Sequence, residues 1–311
     1  MTDSQRRSAD RGGPVDPVDP VTGDVAARIR SLLPSLVPAE QNVAQVLLGR
    51  AADAADLSSQ QVAELAGTSR ATVVRASQSL GFSGYQQLRV LLARDAALAI
   101  RRQAGRAEAG VDLGQQGLDG VAHATYRRFD QVRDSADQMT ALLTPDRIED
   151  AVHRLADAGR ILVVGHGLSR SLAIDAAARL VRLGLVVDQL TDRIDQLIVT
   201  RLLDRRDVVL IISGSGSHTD SLAVAREARA SGAQLIVVTA FARSPIAELA
   251  DVLLIVGMPN SSFISELTDT TRIPQVILVE GLMASLREQL GERAQRAAVV
   301  ALAAVSDHVQ E

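Results

Sequence analysis

Two short runs in the second half of the chain hold residues suited to gripping an oxyanion. In Gly165-His166-Gly167-Leu168-Ser169 the glycines let backbone N–H groups approach an anion, and Ser169 opens a predicted helix with a positive N-terminus. In Ser213-Gly214-Ser215-Gly216-Ser217-His218-Thr219-Asp220, hydroxyls and glycines again lead into a helix. Either run alone is also what a well-capped strand-to-helix turn looks like. As a pair at the carboxyl ends of neighbouring strands, they form a phosphate cradle at a topological switch point. The expected ligands are Gly165, Gly167, Ser169, Ser213, Gly214, Ser215, Gly216, Ser217 and His218. His166 either reaches the ligand from between its glycines or is bonded locally.

A second chemistry lies nearer the N-terminus. Ser58-Ser59-Gln60-Gln61 has the spacing of a capping box, and Val62, Leu65 and Ala66 form the inner face of a short helix. Gly67 permits a tight turn. Ser69 caps a second helix from Arg70 to about Leu80, which turns Val73 and Leu80 inward and Arg70, Thr72, Arg75 and Gln78 outward. This spacing fits a helix-turn-helix, whose second helix enters the DNA major groove, where Arg grips guanine and Gln grips adenine. Ser69, Arg70, Thr72, Arg75 and Gln78 are therefore the expected DNA contacts. The bland alternative is a helical hairpin with arginines that only solvate its surface.

These sites need elements to position them. The runs ILVVG (161–165), LVVDQL (185–190), VVLIIS (208–213), LIVVT (235–239) and VLLIV (252–256) are short, apolar and β-branched, as strands buried on both faces are. Helical periodicity fills 169–183, 194–203, 219–231 and 245–250 between them, so a five-stranded parallel α/β sheet with right-handed crossovers is expected. Residues 271–309 predict two further helices. The predicted organisation is a disordered tail (1–23) with a PVDPVDPV repeat, a helical DNA-binding domain (24–101), a helical connector (102–144) and the α/β domain (145–311).

Composition narrows the chemistry. All 33 basic residues are arginine, which excludes lysine Schiff-base and general-base roles. The absence of cysteine excludes disulfides, thiolate nucleophiles and Cys-containing zinc sites, and the histidines show no metal-ligand spacing. No cofactor is implied. Between Leu57 and Arg102, six arginines stand against Glu64 and Asp95, a local +4 in a chain with net charge −4. Aromatic residues, at 2%, are too few for single-strand stacking platforms. Without an apolar leader or a run of about 18 apolar residues, a cytoplasmic address and no membrane span are expected.

The segment SRATVVRASQSLGFSGYQQLR resembles the motif of RpiR-type transcriptional regulators at Ser69, Thr72 to Arg75, Leu80 to Phe82, Gly84, Tyr85, Leu88 and Arg89. Phe is commoner where Tyr85 stands, so its hydroxyl is either satisfied inside the fold or placed against phosphate. The two glycine-serine loops resemble the phosphate motifs GxGxS and SxSGxT of the sugar isomerase (SIS) domain that such regulators carry. Here His218 stands at the usual threonine, and it can either donate to a phosphate or alter ligand choice. The resemblance implies a non-catalytic regulator with three partners. These are a double-stranded operator with an inverted repeat, a phosphorylated sugar effector, and further copies of the chain in a homodimer or homotetramer. Two other classes remain: a SIS-type sugar-phosphate isomerase or lyase, for which Glu248, Glu266 and Glu280 are acid/base candidates by composition only, and an interaction module that has lost DNA binding.

Overall fold

The computed structural model describes residues 24–50, 57–95, 121–258 and 271–306. The predicted tail and the first part of the connector, to residue 120, lie outside these, as does Glu266.

The N-terminal unit begins with α1 (Val25–Leu32), whose first turn is capped by Asp24 Oδ1 accepting from the Ala27 N–H at 2.9 Å. A 3-10 turn, Leu33–Ser35, leads to α2 (Pro38–Gly49), which Pro38 starts with its φ already helical. Then come α3 (Ser59–Leu65), α4 (Arg70–Ser79) and α5 (85–95). Their core holds Ile29, Val43, Leu47, Val62, Val73, Leu80 and Leu88, each fully buried. Leu65, expected on the inner face, is instead 46% exposed, because Val62, Ala63 and Ala66 already fill the contact with α4. The connector contains α6 (Val121–Met139), and α7 (Pro145–Asp157) opens the sheet domain.

The sheet is five-stranded and parallel, in the order β2-β1-β3-β4-β5, with β1 Ile161–Gly165, β2 Val187–Asp188, β3 Val208–Ile212, β4 Gln234–Thr239 and β5 Val252–Ile255. Every residue of β1, β3 and β5 is buried, which explains their continuous apolar runs. Side chains alternate between two layers. Leu162, Val164, Val209 and Ile211 face α10 (Thr219–Ser231) and share a core with the N-terminal helices. Ile161, Val163, Leu210 and Ile212 face α7, α8 (Arg170–Arg182) and α11 (Ile273–Leu290). The remaining helices are α9 (Arg193–Leu202) and α12 (Glu292–Ser306).

Two predicted elements are shorter than expected. The 185–190 run supplies only a two-residue edge strand: Leu185 turns into the core, Val186 is exposed, and pairing ends at Leu162↔Asp188. The 245–250 segment forms a single 3-10 turn, Ala247–Leu249. Among the described residues, no helix is long and apolar enough to cross a membrane.

Candidate functional site

The pair α3 and α4 is held together by local bonds. Ser58 Oγ accepts from the Gln61 N–H at 3.3 Å while Gln61 Oε1 accepts from the Ser58 N–H at 2.9 Å, which closes the capping box. Gly67 turns the chain at φ +61°, and the Thr68 N–H donates to Ala63 O. Ser69 then caps α4, with Oγ accepting from the Thr72 N–H at 3.2 Å. Arg70, Arg75 and Gln78 are exposed on one face of α4, as expected. Thr72 departs from expectation: it is buried, because its position on α4 faces the neighbouring helices beside Val73. Its Oγ1 contacts Ser69 Oγ at 3.0 Å and accepts from Arg75 Nη2 at 3.1 Å, so Thr72 orients an arginine.

The Leu80-Gly81-Phe82 segment finishes this helix from a distance. Arg28 of α1, itself buried, donates Nε–H to Leu80 O at 2.5 Å and lies over the Phe82 ring at 5.6 Å. Gly81 has φ +85°, and a Cβ there would collide with the Arg28 guanidinium. Tyr85 is buried and donates its hydroxyl to Leu57 O at 2.8 Å, which satisfies it inside the fold. Burial pushes its pKa up. Between the starts of α3 and α5 lies a cavity of about 480 Å³, lined in part by Ser59, Arg70, Gln87 and Arg89. Two helix N-termini and two arginines at one groove suit a DNA phosphate. Ser59 and Arg89 lie outside the pattern of α4 and join Arg70 only where the starts of α3 and α5 come together.

The second site sits where strand order reverses, between β1 and β3, whose ends are level (Gly165↔Ile212). Gly165 lets α8 approach the strand, since a Cβ there would lie 2.7 Å from Ser169 O, and Gly167 adopts φ +57°. Ser169 is buried in a 3-10 turn and does not cap α8 with its side chain. Its Oγ accepts instead from the Gly214 N–H at 3.5 Å and ties the two loops together. Ser213 is buried beside it. Gly216, at φ +62°, packs against Ser244, and its N–H donates to Ser213 O at 3.0 Å. Ser215 Oγ accepts from the Ser217 N–H at 3.4 Å. Ser215 and Ser217 are half-buried, whereas Ser213 is buried.

His218 takes over a role that a threonine would fill, capping α10 with Nδ1 accepting from the Asp220 N–H at 3.3 Å. Its ring stacks on His166, with centroids 4.9 Å apart and planes 9° from parallel. His166 is bonded locally, its Nδ1 lying 2.8 Å from Ser221 Oγ. Burial, and then the neighbouring His218, lower the His166 pKa below its ordinary value. A stacked histidine pair therefore joins the loop after β1 to the start of α10. Among the described residues there is no group of His, Asp and Glu arranged to hold a metal.

Residues 23–98 match the helix-turn-helix domain of the rpiR family, and residues 154–279 match the SIS domain. The HTH-type transcriptional regulator HexR of Pseudomonas aeruginosa is 31% identical over 255 residues, covering 82% of this chain and 86% of HexR. The HTH-type transcriptional regulator YbbH of Bacillus subtilis is 28% identical over 265 residues, 84% of this chain and 89% of its own. The structure of the Vibrio vulnificus NanR protein complexed with ManNAc-6P shares the fold, with a TM-score of 0.55 and 21% identity, over 92% of this chain and all of that one.

Proposed function

The chain belongs to the rpiR family of helix-turn-helix transcriptional regulators, and we propose that its SIS domain senses a phosphorylated sugar that changes the grip of α4 on operator DNA. The carrying observation is the bond from the Gly214 N–H to Ser169 Oγ at the switch point, which ties the two loops together and brings Ser213 and Ser215, the neighbours of Gly214, to Ser169. An oxyanion needs several convergent donors. Here the hydroxyls stand beside the N-terminus of α10, and the N–H groups of Ser215 and His218 have no partner among the described residues. The NanR structure was solved with a sugar phosphate, which supports this class of effector.

Operator reading falls to Arg70, Arg75 and Gln78, with Ser69 and Thr72 setting their helix and Arg75 in place. One such helix covers few base pairs, so the working unit is a homodimer, or a tetramer, on an inverted repeat. The outward face of α12 suits that contact, with Val299, Val300 and Leu302 each about two-thirds exposed. A thermal-shift panel of hexose, amino-sugar and pentose phosphates tests the sensor, because a ligand of the folded state raises Tm with concentration. The expected result is a shift for a phosphorylated sugar and none for its free form. Equal shifts for both would overturn the reading.

A further inference from the structure

Between the turn joining α1 to α2 and the loops that follow β3 and β4 lies a cavity of about 480 Å³. Its volume is in the range of small-molecule sites. One wall belongs to the sheet domain and carries Ser215, Ser217 and Arg243; the other belongs to the helix-turn-helix domain and carries Ser35 and Gln41. The two domains touch directly beside it, where the Ala242 N–H donates to Ser31 O at 3.0 Å.

The walls differ in hydrogen-bonding character. Ser35 Oγ already donates to Leu32 O at 2.6 Å, and Gln41 Nε2 donates to Leu36 O at 2.9 Å. What they chiefly offer a guest is acceptors: the serine lone pairs and Gln41 Oε1. Opposite, the exposed Arg243 guanidinium has no hydrogen-bond or ion-pair partner among the described residues and presents five donors. Because the chain has no lysine, an arginine must supply any permanent side-chain cation for a phosphate. Resting on the sensor reading above, we propose that the effector is gripped between the domains, its phosphate on Arg243 and Ser215 and its sugar hydroxyls on Ser35 and Gln41. Glu248 lines the same cavity, so a second anionic group on the ligand would meet a carboxylate. The selected class is a monophosphate of a neutral sugar rather than of a sugar acid. An occupant touching both domains couples its own affinity to their arrangement.

Calorimetry on the full chain tests this with inorganic phosphate and with a panel of hexose 6-phosphates. Arg243→Gln should raise the Kd for inorganic phosphate about tenfold, with partial recovery in Arg243→Lys. Gln41→Ala should leave inorganic phosphate within about twofold, yet weaken the hexose 6-phosphates roughly three- to tenfold and shrink their effect on operator affinity, with Tm lowered slightly by the lost bond to Leu36 O. If Arg243→Gln and Gln41→Ala bind like the parent while a Ser213→Ala/Ser215→Ala variant loses binding, the inter-domain site is wrong and the sensor reading stands. If all three variants bind like the parent, or the parent binds neither inorganic phosphate nor any of the hexose, amino-sugar and pentose phosphates, both are overturned.

Discussion

Replacing Gly81 by alanine should cripple the reading head through α1. The residue sits at φ +85°, where a side chain costs about 1–2 kcal/mol. The new Cβ would also occupy the place of the Arg28 guanidinium. If Arg28 swings away, it gives up a buried charge-assisted bond to Leu80 O, worth about 1.5–3 kcal/mol, and its contact with Phe82, worth about 0.5–1 kcal/mol. The total, about 3–6 kcal/mol, is comparable to the whole stability of a small domain. Urea unfolding followed by far-ultraviolet circular dichroism, alongside operator titration, measures it. The decisive comparison is a double-mutant cycle with Arg28→Met, in which Gly81→Ala should cost only the backbone strain, about 1–2 kcal/mol. Equal costs in the two backgrounds, within about 0.5 kcal/mol, would refute the claim that Arg28 is what glycine makes room for.

Arg75→Ala should weaken operator binding by about 1–3 kcal/mol, concentrated at one base position, with Tm unchanged; fluorescence anisotropy on a set of single-base operator variants reads this directly. A Ser213→Ala/Ser215→Ala variant should lose the thermal shift from hexose phosphates while keeping the operator affinity of the free protein. Because the folded-state pKa of His166 lies below its unfolded value, the unfolded chain binds the extra proton, and stability should fall as pH drops below about 6.5. His166→Gln should flatten that fall in a pH series of Tm. Val300→Arg with Leu302→Arg on α12 should yield monomers in light scattering and reduce operator affinity, whereas an unchanged mass would place the interface elsewhere.

What the sequence disclosed and what it withheld divide by the reach of each interaction. The Ser58–Gln61 box and the Ser69 cap span three residues, so residue type and spacing are sufficient to place them. The strands were equally legible, because a strand buried on both faces is written as an unbroken apolar run. The edge strand is shorter than its apolar run, since Leu185 and Val186 serve core and surface rather than pairing. Thr72 was misplaced because helical phase sets it near the boundary of the exposed face, and packing by neighbouring helices decides its burial. Ser169 bonding to Gly214, His166 stacking on His218 and Arg28 reaching Leu80 each join residues about fifty positions apart. No local pattern announces such pairs.

Arg28 and Ser31 give the two-domain design a common mechanical element. Arg28 holds the end of the recognition helix through Leu80 O, and one turn along α1 the carbonyl of Ser31 accepts from Ala242 in the loop that follows β4. That loop continues through Ser244, which packs against Gly216 of the serine-rich loop and accepts from the Ala247 N–H. A rigid helix cannot shift at Ser31 without shifting at Arg28, so any change in the β3 and β4 loops that moves α1 also reaches α4. The chain of contacts is short and free of long linkers, one arrangement able to carry energetic coupling between sites. Linkage then fixes a quantity. The factor by which a sugar phosphate changes operator affinity must equal the factor by which operator changes sugar-phosphate affinity. Both should shrink together when Ala242→Pro removes the N–H that joins the domains, while each ligand alone still binds. A variant that loses the bond yet keeps full coupling would show that the signal travels by another route, such as rearrangement between subunits.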